Sequence, residues 1–137
     1  MTTALLDLAD EHFVSLTTFR KTGERVSTPV WIARDGDALL VTTPDGTGKV
    51  KRLRNNSAVE LQPSSRMGKV SPADVPATGT ATMGPETARE TEIFRRKYGL
   101  EYRIFMFVER RMTKRAGSSG QKPRVILRIT AEQSTTV

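Results

Sequence analysis

Apolar and polar positions alternate in short runs along most of this chain, a period of two that predicts strands. Residues 13–20 (FVSLTTFR) and 25–34 (RVSTPVWIAR) are rich in β-branched and aromatic side chains and flank Lys21, Thr22, Gly23 and Glu24, so they read as a hairpin. Pro29 lacks an N–H group, which places its strand at an edge or a bulge. Asp35-Gly36-Asp37 is a second turn, residues 38–43 (ALLVTT) a third strand, and Pro44-Asp45-Gly46 closes it. Residues 57–61 (SAVEL), 78–83 (TGTATM) and 124–131 (RVILRITA) supply three more strands.

The period changes in four places. Leu5, Leu6 and Leu8 among acids predict a short helix over 3–11. A second short helix covers 47–55, with Val50 and Leu53 on its inward stripe. Pro85-Glu86 is a good helix start, predicting a helix to Lys97 that stops at Tyr98-Gly99. Leu100, Ile104, Phe107 or Val108, and Met112 then recur at helical spacing and predict another helix with one apolar face. Residues 64–76 and 116–122 read as loops. Six strands joined by short turns and interrupted by helices predict one domain over 1–137, a mostly β, antiparallel barrel whose closure protects its strand edges.

Composition narrows the chemistry. The chain of 137 residues has no cysteine and one histidine, which excludes disulfides, thiolate metal sites and cysteine nucleophiles and leaves little for a His-based zinc site or triad. His12 reads as a surface or satisfied histidine. The N-terminus lacks the pattern of a signal peptide, and no apolar run approaches a membrane span, so a cytoplasmic protein without a membrane partner is expected. A net charge of +7 predicts attraction to anions. It is concentrated in two places, Lys49 to Arg54 and a later region running from Arg95 to Arg115. The run from Arg110 to Arg115 is read as a solvated helix end.

The segment Thr47-Gly48-Lys49-Val50-Lys51-Arg52-Leu53-Arg54 follows a strand and a tight turn, so its first N–H groups are free at a helix start, a place that attracts phosphate. Lys49 flanks the inward stripe and leans toward that start, whereas Lys51 and Arg52 lie farthest out. Val50 stands where a Walker loop needs Ser or Thr, so ATP hydrolysis is not supported.

These residues also carry a likeness. Thr28-Pro29-Val30-Trp31, Thr42-Thr43 and the 48–54 segment, with weaker echoes at 66–69 and 95–100, resemble the pyridoxamine 5′-phosphate oxidase-like split β-barrel family, in particular its deazaflavin-dependent oxidoreductase branch. The resemblance implies a six-stranded split barrel of the FMN-binding type. It also implies a homodimer whose groove between subunits holds coenzyme F420, or alternatively FMN. Lys49, helped by Lys51 and Arg54, would hold the phosphate, and Thr28, Pro29, Val30 and Trp31 would lie along the ring system. Thr43 and Val50 join the cofactor-binding set on the same likeness, and Tyr98 could approach from the partner subunit. Gln62-Pro63-Ser64-Ser65 departs from the family pattern on the substrate side.

The activity so implied is hydride transfer from reduced cofactor to an electron-poor double bond or quinone-like small molecule, with no catalytic side chain required. A non-catalytic F420 or FMN carrier is the alternative. Nucleic-acid binding is weaker still, because no aromatic residues interleave with Lys49 to Arg54 to stack bases.

Overall fold

The computed structural model describes residues 2–115 and 124–131. Helix α1 (Thr2–Asp7) and a 3-10 turn (Leu8–Asp10) lead into β1 (Phe13–Phe19), β2 (Arg25–Val30), β3 (Ala33–Asp35) and β4 (Ala38–Pro44). Helix α2 (Gly48–Asn55), β5 (Ala58–Ser64), β6 (Ala77–Pro85), α3 (Ala88–Tyr98), α4 (Leu100–Arg115) and β7 (Arg124–Ala131) follow. The strands form one antiparallel sheet in the order β2-β1-β5-β6-β7-β4-β3.

The expected six strands are therefore seven, and the sheet is not closed. The stretch 25–34 divides at Trp31-Ile32 into β2 and β3, which become the two opposite edges of the sheet. Because those edges are only two residues apart in the chain, the sheet curls round on itself and stops short of a hydrogen-bonded seam. Side chains of α3 keep the seam open. The Ile32 N–H donates to the Tyr98 hydroxyl at 2.9 Å, and the Ile32 carbonyl accepts from Lys97 Nζ at 2.5 Å. The backbone groups a continuous ladder would use are satisfied elsewhere. Pro29 sits on edge strand β2, opposite Ser15 of β1, where its missing N–H breaks no outer ladder.

Two apolar clusters lie on the two faces of the sheet. Inside the curl, Leu39 and Val41 of β4 pair with Ile129 and Leu127 of β7 and pack with Val14, Leu16 and Leu61. Outside it, Leu40 and Ile126 meet Phe94, Tyr98 and Tyr102. Strand β4 is thus buried on both faces, which is why ALLVTT reads as a continuous apolar run. The helix expected from Pro85 starts at Ala88, because Pro85 still pairs with Val125 and Thr87 caps the helix, its N–H donating to the Glu90 carboxylate at 2.8 Å. Gly99, at φ +55°, turns α3 into α4, a conformation that suits glycine. The expected helix α4 forms, but its periodic apolar face does not pack on this chain: Leu100 is 71% exposed and Phe107 61%. Tyr102 and Met106 make the contact instead, because α3 already covers the outer face of the sheet. The expected loop at 116–122 lies outside the described residues. No described helix is long and apolar enough to cross a membrane.

Candidate functional site

Strand β4 ends at Pro44, and a turn through Gly46 at φ +84° delivers the chain to α2. Thr47 is the N-cap in extended backbone, and its side chain makes no capping bond to the first N–H groups of the helix. Val50 and Leu53 are buried and pin α2 to the sheet, leaving Lys51 and Arg54 on the solvent side, whereas Arg52, expected farthest out, is half-buried because its Nε donates to Thr18 Oγ1 of β1 at 2.6 Å. Lys49, between those two faces, reaches a cleft of about 190 Å³.

Six elements, α2 among them, meet around this cleft. The end of β2 and the following residue give Pro29, Val30 and Trp31, and the end of β4 gives Thr42, Thr43 and Pro44. Phe13, Phe105 and Arg124 complete the lining from β1, α4 and β7. A neighbouring hollow of about 370 Å³ shares Phe13, Trp31 and Phe105 and continues to Ile104, Val108, Arg66 and Glu101. Together they form one groove, cationic at the Lys49 end and apolar beyond Trp31. Trp31 is held from beneath by Tyr98, with ring centroids 4.3 Å apart and planes 15° from parallel, and Phe105 lies 4.9 Å away.

The two cations of the cleft differ. Arg124 Nε donates to Thr42 Oγ1 at 3.0 Å and Nη1 to both Glu109 oxygens at 2.8 Å, while Thr42 also bonds Glu86. Its charge is matched. Lys49 has no ion pair or hydrogen bond among the described residues. Burial pushes its ammonium below the usual lysine range, and the nearby Arg52 and Arg124 guanidinium groups push it the same way. Burial likewise raises the Tyr98 phenol to about 12, so it stays neutral.

Of the residues expected from sequence, Pro29, Val30, Trp31, Thr43 and Lys49 are brought together in the cleft lining. The others are placed elsewhere. Val50 is part of the core, so its side chain is closed to a ligand. Lys51 is exposed, and Arg54 is exposed and 3.5 Å from Asp45. Thr28 is next to the lining, its Oγ1 buried without a hydrogen-bond partner. Tyr98 lies under Trp31 in its own chain, with its hydroxyl engaged by the backbone of Ile32 and His12. His12 pairs with Glu101 at 2.8 Å at the surface, as a satisfied histidine does. Sequence reading missed Phe13, Pro44, Phe105 and Arg124 as lining residues, and used Thr42 only as a motif position. Pro44 and Thr42 had a signal in their adjacency to Thr43. Arg124 had none, because only the antiparallel pairing of Pro44 with Arg124 brings β7 to the cleft.

The model of the family described as pyridoxamine 5′-phosphate oxidase matches residues 1–137. The chain belongs to the pyridoxamine 5′-phosphate oxidase family. No curated protein matches it by sequence. Solved structures share the family fold with it. An F420 reductase is 20% identical with a TM-score of 0.56, covering 93% of this chain and 92% of that one. A FAD-binding protein from Mesorhizobium loti is 19% identical with a TM-score of 0.54, covering 96% and 87%. A heme storage protein from Vibrio cholerae is 12% identical with a TM-score of 0.57, covering 96% and 90%. At these identities the likeness shows the fold, and the range of ligands in the three names shows that this fold alone does not choose a cofactor.

Proposed function

We propose that the groove binds a flavin-type cofactor, with F420 as the first candidate and FMN as the alternative, and that the protein acts as an oxidoreductase. The observation that carries this is Lys49, a partly buried ammonium without a counter-ion among the described residues, beside two further cations at the end of an aromatic groove. An anion supplied from outside stabilises such a charge, and a phosphate there also meets the uncapped N–H groups that begin α2. Pro29, Val30 and Trp31, with Phe13 and Phe105, offer apolar and aromatic surface to a ring system. The cleft alone is below the roughly 300 Å³ at which small-molecule pockets begin, and the adjoining hollow brings the groove into that range.

Such a cofactor, when bound, supplies the hydride chemistry. This chain's own residues bind the phosphate, orient the ring and exclude water. The cleft lining is made of apolar, hydroxyl and cationic side chains, so the proton for an electron-poor double bond or quinone-like acceptor comes from water in this scheme. The same lining favours a second reading, in which the protein carries the cofactor without turnover. We further propose a cytoplasmic homodimer with the groove between subunits. The exposed Ile104 and Val108 of α4, lining the groove, support it as surface for a second copy to cover.

Titration with F420 and with FMN, followed by cofactor fluorescence, tests the proposal. A saturable change with F420 is expected, and its absence with both cofactors overturns the reading. Binding of reduced F420 that is never oxidised by a quinone such as menadione leaves the carrier reading.

A further inference from the structure

A second cavity is larger than the cleft. It has a volume of about 830 Å³ and lies between the α3–α4 hairpin and the ends of β6 and β7, with Arg124 as the wall it shares with the Lys49 cleft. Helix α4 forms its main face. Tyr102, Met106 and Phe107 give an apolar centre, and Arg103 and Arg110 stand on either side, seven residues or about 10 Å apart along the axis.

The charges of this cavity do not balance. Its one carboxylate, Glu86, already accepts from the hydroxyls of Thr42 and Thr91 and lies 3.8 Å from Arg124. The two acids of α4 are directed elsewhere: Glu101 pairs with His12 and Arg66, and Glu109 takes Arg124. Arg95 pairs with Glu92 within α3. Arg103 and Arg110 have no ion pair among the described residues. A concave site of this size, with an apolar floor and two uncompensated guanidinium groups at its rim, suits a ligand with an apolar body and an anionic head, since guanidinium binds carboxylate, phosphate or sulfonate through paired N–H donors.

We infer that this cavity is a second ligand site, taking an amphipathic organic anion that lies across Arg124 from whatever occupies the Lys49 cleft. The site stands on its own residues and does not depend on the cofactor reading.

The test is equilibrium titration of the full chain, free of cofactor, with 8-anilinonaphthalene-1-sulfonate, an apolar body bearing one anionic group. Saturable binding at one site per chain is expected, and the Arg103→Gln/Arg110→Gln double variant should raise Kd about tenfold or more. The Arg103→Lys/Arg110→Lys variant should keep much of the affinity, and N-phenyl-1-naphthylamine, the same body without the sulfonate, should bind at least about tenfold more weakly. FMN affinity should stay unchanged in the glutamine variant, which separates this site from the cleft. An anilinonaphthalene-sulfonate Kd within about twofold of wild type in the folded glutamine variant overturns the inference. So does binding that is lost on Ile104→Ser, which would place the probe on the other face of α4.

Discussion

Two corners of this molecule concentrate positive charge and treat it in opposite ways. At the end of β3, Asp35 receives Arg89 of α3 through two bonds of 2.7 and 2.5 Å and Arg128 of β7 through one of 2.6 Å. The Arg89 bond, followed by that of Arg128, holds the carboxyl at about 2. At the start of α2, Lys49 lies near Arg52 and Arg124, while the nearby acids are committed to other partners. The first corner is complete within the chain and joins three elements of the fold. The second leaves a cation that the fold does not neutralise, as binding sites for anions do. Charge density alone would have ranked the two alike; the location of the carboxylates separates them.

The comparison is sharpest at Lys49. Lys49→Ala should weaken FMN or F420 binding by about 1.5–3 kcal/mol, through loss of a charge-assisted bond, whereas Arg54→Ala, removing a cation that faces Asp45 outside the cleft, should change it by less than about 0.5 kcal/mol. Calorimetric titration of both variants measures this, and equal losses would erase the distinction between the cleft and the rest of the basic helix.

A smaller effect is expected at the complete corner. Asp35→Asn should lower unfolding stability at pH 7 by about 1–2 kcal/mol in urea, because two arginines lose a shared partner. The sign of the pH dependence follows from the depressed carboxyl. The Asp35 contribution is present above the ordinary value of 3.8 and is lost as pH falls toward about 2, so the gap between wild type and variant should close over that window.

The smallest effect runs the other way. A lysine lowered on folding is bound to its proton less tightly in the native chain, so the protonated form costs stability, which returns as pH rises through its folded value toward 10.5. Lys49→Met should accordingly stabilise the ligand-free protein at pH 7 by about 0.5–1 kcal/mol in the same urea experiment, with the gain fading at alkaline pH. Destabilisation instead would mean that Lys49 has an internal role and is not held ready for a ligand.

The strands were legible because each alternates or is bounded by a strong turn, and β7 was read at its observed limits. The break of 25–34 was not legible. Nothing local in Trp31-Ile32 argues against a continuous strand; Lys97 and Tyr98, consecutive at the end of α3 and more than sixty residues away, take the Ile32 backbone and part the edges. On α4 the heptad-like apolar period was correctly helical, yet periodicity says only that one face is apolar and not that this chain buries it. For the candidate site, Lys49, Thr43 and Pro29 to Trp31 lie on two short segments next to turns, which sequence can flag. Phe13, Phe105 and Arg124 arrive from three distant elements, and neither spacing nor composition marks them.

By itself, then, the sequence determined the antiparallel β character, the basic helix after a turn and the shortage of His and Cys that points away from side-chain catalysis, because these depend on local periodicity and residue type. Only the tertiary structure decided that the sheet has seven strands and opens between β2 and β3, which cations keep a partner and which do not, and that one arginine divides two cavities. Those outcomes depend on pairings across the whole chain, and a charge is structural or available according to neighbours that its own segment does not contain.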